Sequence, residues 1–144
     1  MKKSICVVLL LFVAIIGWFF IHYSQTMMGV AEVKKMNQDF EFYNKPQILG
    51  TDVTTVINKA TDNNEKYHIS KDPKGEYVSD GKYSIKIYVY MIINDTTYPM
   101  ETLQKTGLED FRKYFGEVEF ECTNVKYHES TGRISEMTFA ATKE

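Results

Sequence analysis

Residues 4–23 (SICVVLLLFVAIIGWFFIHY) constrain this chain more than any other stretch, because they contain no Asp, Glu, Lys, Arg or Pro. At about 1.5 Å rise per residue, a helix of them covers roughly 30 Å, the thickness of a bilayer's hydrocarbon core. A helix that is apolar all round needs an apolar solvent on every side. The sequence therefore predicts a transmembrane anchor over residues 4–23, with a three-residue tip, 1–3, on one side and the bulk of the chain on the other.

Orientation follows from the flanking charges. Lys2 and Lys3 precede the apolar run, and the first cations beyond it are Lys34 and Lys35. The positive-inside rule places the N-terminus in the cytoplasm and the C-terminal part outside the cell. A cleaved signal peptide shares this layout, but its core is usually shorter and ends at a small-residue cleavage site. Here Trp18, Phe19, Phe20, His22 and Tyr23 form an interfacial aromatic belt, and the nearest small-residue pattern, Gly29-Val30-Ala31, lies well past the usual distance. The reading is an uncleaved, single-pass anchor that meets the lipid bilayer, with a cleaved secreted protein as the alternative. The run carries no intramembrane charge for a transport role and no G-x-x-x-G for close helix pairing. Cys6 lies at its beginning, where lipoprotein processing finds no use for it.

With about 30 residues in the span and its flanks, about 110 remain, enough for one hydrophobic core and not for two. All 19 acidic residues and 15 of the 17 basic ones follow the span, a formal charge of −4. A mildly acidic domain with scattered lysines offers no face to nucleic-acid phosphates. The two cysteines, Cys6 and Cys122, lie in segments that the anchor keeps apart, so no intrachain disulfide is expected. Absence of a disulfide from an exported domain points to a bacterial cell envelope.

Residues 24–39 turn polar without proline and predict a juxtamembrane helix, with Met28, Val33, Met36 and Phe40 on one stripe. The extracytoplasmic domain is expected over 40–144. Val53, Val56, Ile57 and Ala60 recur at helical spacing behind Thr51 or Asp52 as N-cap, with the helix ending at Asp62-Asn63-Asn64. Strands are expected around Tyr67 and Ile69 and at Tyr77-Val78. The strongest predicted strand has Tyr83, Ile85, Ile87, Val89, Met91 and Ile93 on one face. Asn94-Asp95-Thr96 predicts a hairpin, and residues 97–103 a returning strand in which Pro99 demands an edge. Thr106-Gly107-Leu108-Glu109 has the capping-box form and opens a helix bearing Leu108, Phe111 and Phe115. Val118, Phe120 and Cys122 alternate, whereas Val125 and Tyr127 take the other parity, which predicts a bulge near Thr123-Asn124. Ser130-Thr131-Gly132 predicts a turn before a final strand through Met137 and Phe139. The fold class is α+β: an N-terminal transmembrane helix, then a small domain with an antiparallel sheet and one or two packed helices.

No catalytic, cofactor or metal site emerges. His22, His68 and His128 have no second ligand at metal spacing. Asp62, Glu65, Asp72, Glu76 and Asp80 do not meet the calcium-loop pattern and read as solvated turn carboxylates. Cys122 alternates with core residues, and no serine-nucleophile or nucleotide-binding motif is present. The chain reads as a non-enzyme. Ten tyrosines are many for this length, and Tyr88, Tyr90 and Ile92 share the strand face opposite Ile87 and Val89. That face is too apolar to be left wet, so either a helix covers it or it docks a protein partner or a second copy.

The plan of an apolar N-terminal helix running into a polar helical stretch and then an antiparallel sheet resembles a pilin or pseudopilin. The resemblance implies a pilus-like assembly. Met1-Lys2-Lys3-Ser4-Ile5 departs from that family's processing pattern: no Gly precedes the helix, and the first acidic residue is Glu32. The stretch from Gly50 through Val53 to Lys59 is similar to small single-span surface proteins of Gram-positive bacteria.

Overall fold

A computed structural model describes the backbone of residues 2–142 and the side chains of residues 12–21 and 29–142. The chain divides into two compact units, residues 1–35 and 36–144. Helix α1, Lys2–Glu41, accounts for the first and ends in the second.

The second unit is α+β. In chain order it contains β1 (Ile48–Leu49), α2 (Gly50–Lys66), β2 (Lys86–Met91), a 3₁₀ turn (Ile92–Asn94), β3 (Thr96–Pro99), α3 (Met100–Thr106), α4 (Leu108–Phe115), β4 (Glu119–Tyr127) and β5 (Ile134–Ala141). The strands form one sheet in the order β1-β4-β5-β2-β3. It is a mixed sheet, which corrects the expected antiparallel one. β5 inserts between β4 and β2 and runs parallel to β2, from Lys86 opposite Glu136 to Tyr90 opposite Ala140. Turn chemistry indicates which neighbouring strands form hairpins. A pairing between β2 and β5, separated by two helices and two strands, leaves no such mark.

The predicted amphipathic face of α2 is the centre of the core: Val53, Val56, Ile57 and Ala60 are fully buried. They belong to one core with Ile87 and Val89 of β2, Phe120 of β4, Met137 and Phe139 of β5, and Met100 from α3. The helix begins two or three residues earlier than expected: Leu49 takes the N-cap place, and Asp52 Oδ2 accepts from its amide (3.2 Å). It also continues past Asn63 and Asn64. The left-handed closing position falls to His68 (φ 53°), where the His68 amide donates to Glu65 O and the Ile69 amide to Asn64 O. This is the Schellman arrangement, and it explains why Tyr67 and Ile69 do not start a strand. Residues 67–85 are mostly irregular, with one bridge between Lys71 and Tyr77.

Two further expectations are corrected. β3 ends at Pro99, on the sheet edge as its missing amide requires, and the chain turns at once into α3 instead of continuing as strand to Leu103. Buried Met100 and Leu103 stand three apart, a helical spacing. The capping box at Thr106 does not form, because Thr106 Oγ1 donates back to Thr102 O (3.0 Å) and Gly107, at φ 109°, separates α3 from α4. The predicted bulge is present: the β4–β5 register shifts between Cys122 and Asn124.

Candidate functional site

Within the first unit, residues 12–21 are ten consecutive apolar or small residues, which sweep about three helical turns. Their eight large side chains are exposed by 53% at Ile15 up to 73% at Phe20. No polar stripe interrupts them, and Trp18 and Phe19 meet edge to face at 5.3 Å. Among the described residues, no helix is long and apolar enough to cross a membrane. The other side chains of the expected span, residues 4–11, His22 and Tyr23, lie outside the described residues, Cys6 among them.

The second unit presents two surfaces. On β2 the burial alternates, so that Ile87, Val89 and Met91 face the helices while Lys86, Tyr88 and Tyr90 face the other way, partly exposed. The structure thus brings Tyr88 and Tyr90 together on the sheet face opposite the core. Beside them the Lys126 ammonium meets Glu136 Oε1 at 2.7 Å. Burial, then nearby Glu136, raises the Tyr88 phenol above its ordinary pKa. A hydrogen bond to Asp95 (2.8 Å) does the same for Tyr90. Ile92 is separated from both: it opens the 3₁₀ turn and lies beside Met91, Ile93, Tyr114 and Phe115.

That neighbourhood is a groove that sequence reasoning missed. One lobe, about 300 Å³, is floored by Met91, Leu103, Phe111 and Phe115, with Asn94, Tyr98, Thr102, Thr106 and Asp110 around it. A second lobe of about 220 Å³ is lined by Ile92, Val118 and Ala141 together with four residues of the first: Met91, Ile93, Tyr114 and Phe115. Ile93 and Tyr114 stand between the lobes, 67% and 68% exposed. The only sequence signal was Ile92-Ile93 running on past the strand parity into a polar turn.

The polar residues do structural work. Asp72 and Asp80 accept hydrogen bonds from their own turns, Asp72 Oδ1 from the Lys74 and Glu76 amides and Asp80 Oδ1 from those of Lys82, Tyr83 and Ser84. Among the described residues no three His, Cys, Asp or Glu side chains converge as a metal site would require. His68 is exposed, and buried His128 bonds Ser84 O through Nε2 (2.7 Å). Cys122 is half-buried and burial pushes its thiol pKa up, which makes it a poorer nucleophile. Arg133 is buried, donates to Asn63 Oδ1 (2.9 Å), and lies against the rings of Tyr67 and Tyr83, which stack at 4.6 Å. Nearby, the Asn37 amide side chain spans the β4–β5 turn, donating to Gly132 O and accepting from the Ile134 amide.

Asp80 supplies a pH dependence. Desolvation acts to raise its pKa, but the backbone amides of Ser84, Tyr83 and Lys82 outweigh it and bring the carboxyl from 3.8 down to about 2. The folded state then holds fewer protons than the unfolded one in this range. The stabilisation is complete above about pH 4 and is lost as pH falls through about 2. Allowing for screening at this exposed site, it amounts to about 1 kcal/mol. Thermal unfolding followed by circular dichroism should show a shallower acid dependence in Asp80→Asn than in the parent. Identical pH profiles would remove Asp80 from the account.

No protein-family profile matches the chain, no curated protein matches it in sequence, and no solved structure matches its fold.

Proposed function

We propose that this chain is a single-pass membrane protein, N-terminus in the cytoplasm, that presents its α+β unit outside the cell. In this reading it is a non-catalytic structural or interaction subunit of a cell-envelope or pilus-like assembly. The observation that carries the reading is the run at residues 12–21, whose large apolar side chains are exposed on all sides of the helix. In water that surface is unfavourable by roughly 25 cal/mol per Å² of apolar area, and a lipid environment removes the penalty. The second reading, a tethered binding module that works without an assembly, is favoured by the apolar groove between the β2–β3 tip and α4.

The anchor is tested by alkaline carbonate extraction of membranes from cells expressing the full chain with a C-terminal epitope, joined to protease treatment of intact cells. The expected result is that the protein stays with the membrane pellet and loses its epitope to external protease. Release into the carbonate supernatant would exclude the anchor. A protected epitope on a retained protein would reverse the orientation. Cross-linking on the same cells separates the two readings, since an assembly subunit yields discrete larger species and a stand-alone module none.

A further inference from the structure

We propose that the groove between the β2–β3 tip and α4 docks a basic, amphipathic peptide segment, its apolar side chains in the two lobes and a lysine or arginine against Asp110. The proposal rests on reading the folded unit as an interaction module and is independent of membrane anchoring. Three observations carry it.

The floor is made of core side chains, Met91, Phe111 and Phe115, and the most exposed large apolar residues on this part of the surface, Ile93 and Tyr114, stand beside it. Apolar floor and protruding aromatic together are the makings of an anchor pocket. The shape points to a peptide. At about 300 and 220 Å³, each lobe lies at or below the lower end of the roughly 300–1,000 Å³ typical of small-molecule pockets. Two small lobes joined at a ridge receive two side chains of one segment better than one compact ligand.

Charge selects the kind of peptide. Among the described residues, Asp110 is the one ionisable acid or base, tyrosines aside, that lines either lobe. Of its neighbours on α4, Glu109 lies 3.9 Å from Arg112, whereas Asp110 has no cation within 4 Å among the described residues. A carboxylate at the edge of an apolar groove, on an acidic domain, attracts a basic segment and repels an acidic one.

The test is to pan a random dodecapeptide display library against the full chain in phosphatidylcholine nanodiscs, with binders to empty nanodiscs removed. Enriched peptides are expected to combine apolar residues with lysine or arginine. Their retention should fall about tenfold or more on Ile93→Ser, and by about tenfold on Asp110→Asn. Both side chains are exposed, so neither substitution disturbs the core. As a check that needs no variant, a synthetic copy of an enriched peptide should shift the NMR signals of Ile93, Gly107 and Tyr114 in the parent. Failure to enrich any peptide, enrichment of acidic sequences, or retention unaffected by Ile93→Ser would each overturn the proposal. So would concentration-dependent self-association abolished by Ile93→Ser, because the occupant would then be a second copy. Carbonate extraction reads the anchor separately, so failure of one reading leaves the other standing.

Discussion

Replacing Asn64 by leucine is expected to destabilise the folded unit by about 4 kcal/mol, even though leucine is close in volume and sits among apolar neighbours. Asn64 is fully buried at the C-terminal end of α2. Its Nδ2 donates to Ile85 O (2.7 Å) and its Oδ1 accepts from the Ile85 amide (2.8 Å). One side chain thus does for Ile85 what a neighbouring strand would have done, just before β2 begins. Leucine leaves both backbone groups buried without partners, at about 1–3 kcal/mol each. Asn63 sits beside it, donating to Tyr83 O (2.7 Å) and accepting from Arg133, so the damage extends into the same network. Chemical denaturation of the full chain in detergent micelles measures the loss, and faster hydrogen exchange at the Ile85 amide locates it. A change under about 1 kcal/mol would mean that the backbone of Ile85 finds other partners.

Gly50→Ala should cost about 3 kcal/mol, for a steric reason with no polar component. Gly50 opens α2 where that helix approaches the end of α4. Its amide donates to Val118 O (3.0 Å), and the next amide, of Thr51, to Gly116 O (3.1 Å). A methyl group built on Gly50 overlaps the carbonyl of Phe115. The obstacle is backbone, which no rotamer change removes, so α2 must draw away and stretch both hydrogen bonds. The same denaturation experiment reads the effect. Full stability in Gly50→Ala would show that the α2–α4 contact is looser than the geometry implies.

These two positions also mark the limit of what was legible in the chain. Val53, Val56, Ile57 and Ala60 announced a buried helix face by spacing alone, and the bulge at Thr123 was announced by a switch of parity in β4. Asn63 and Asn64 were read as a helix stop because asparagine tolerates the left-handed conformation. Their actual partners, Ile85 and Tyr83, lie about twenty residues away, and no local rule reports a hydrogen bond over that distance. Thr106 illustrates the same limit at short range: its hydroxyl had an alternative acceptor one turn back, and the capping motif lost to it. Of the candidate surfaces, the apolar run at residues 12–21 could be read directly. The pairing of Tyr88 with Tyr90 followed from strand alternation, and the placing of Ile92 did not, because the strand ends at Met91. The groove left no trace beyond the Ile92-Ile93 run, since its lining comes from the β2–β3 tip, α3, α4 and β5.

By itself the sequence determined the properties that depend on near neighbours: the apolar helix, the inward face of α2, the alternation of β2, the bulge in β4 and the α+β class. Periodicity encodes these because burial repeats with the geometry of the element that carries it. Only the tertiary structure decided that β5 enters the sheet parallel to β2, that Asn64 stands in for a strand, and that Ile93 and Tyr114 flank one groove. Those depend on which distant surfaces pack together, a choice made by the summed burial of the whole core and recorded at no single position.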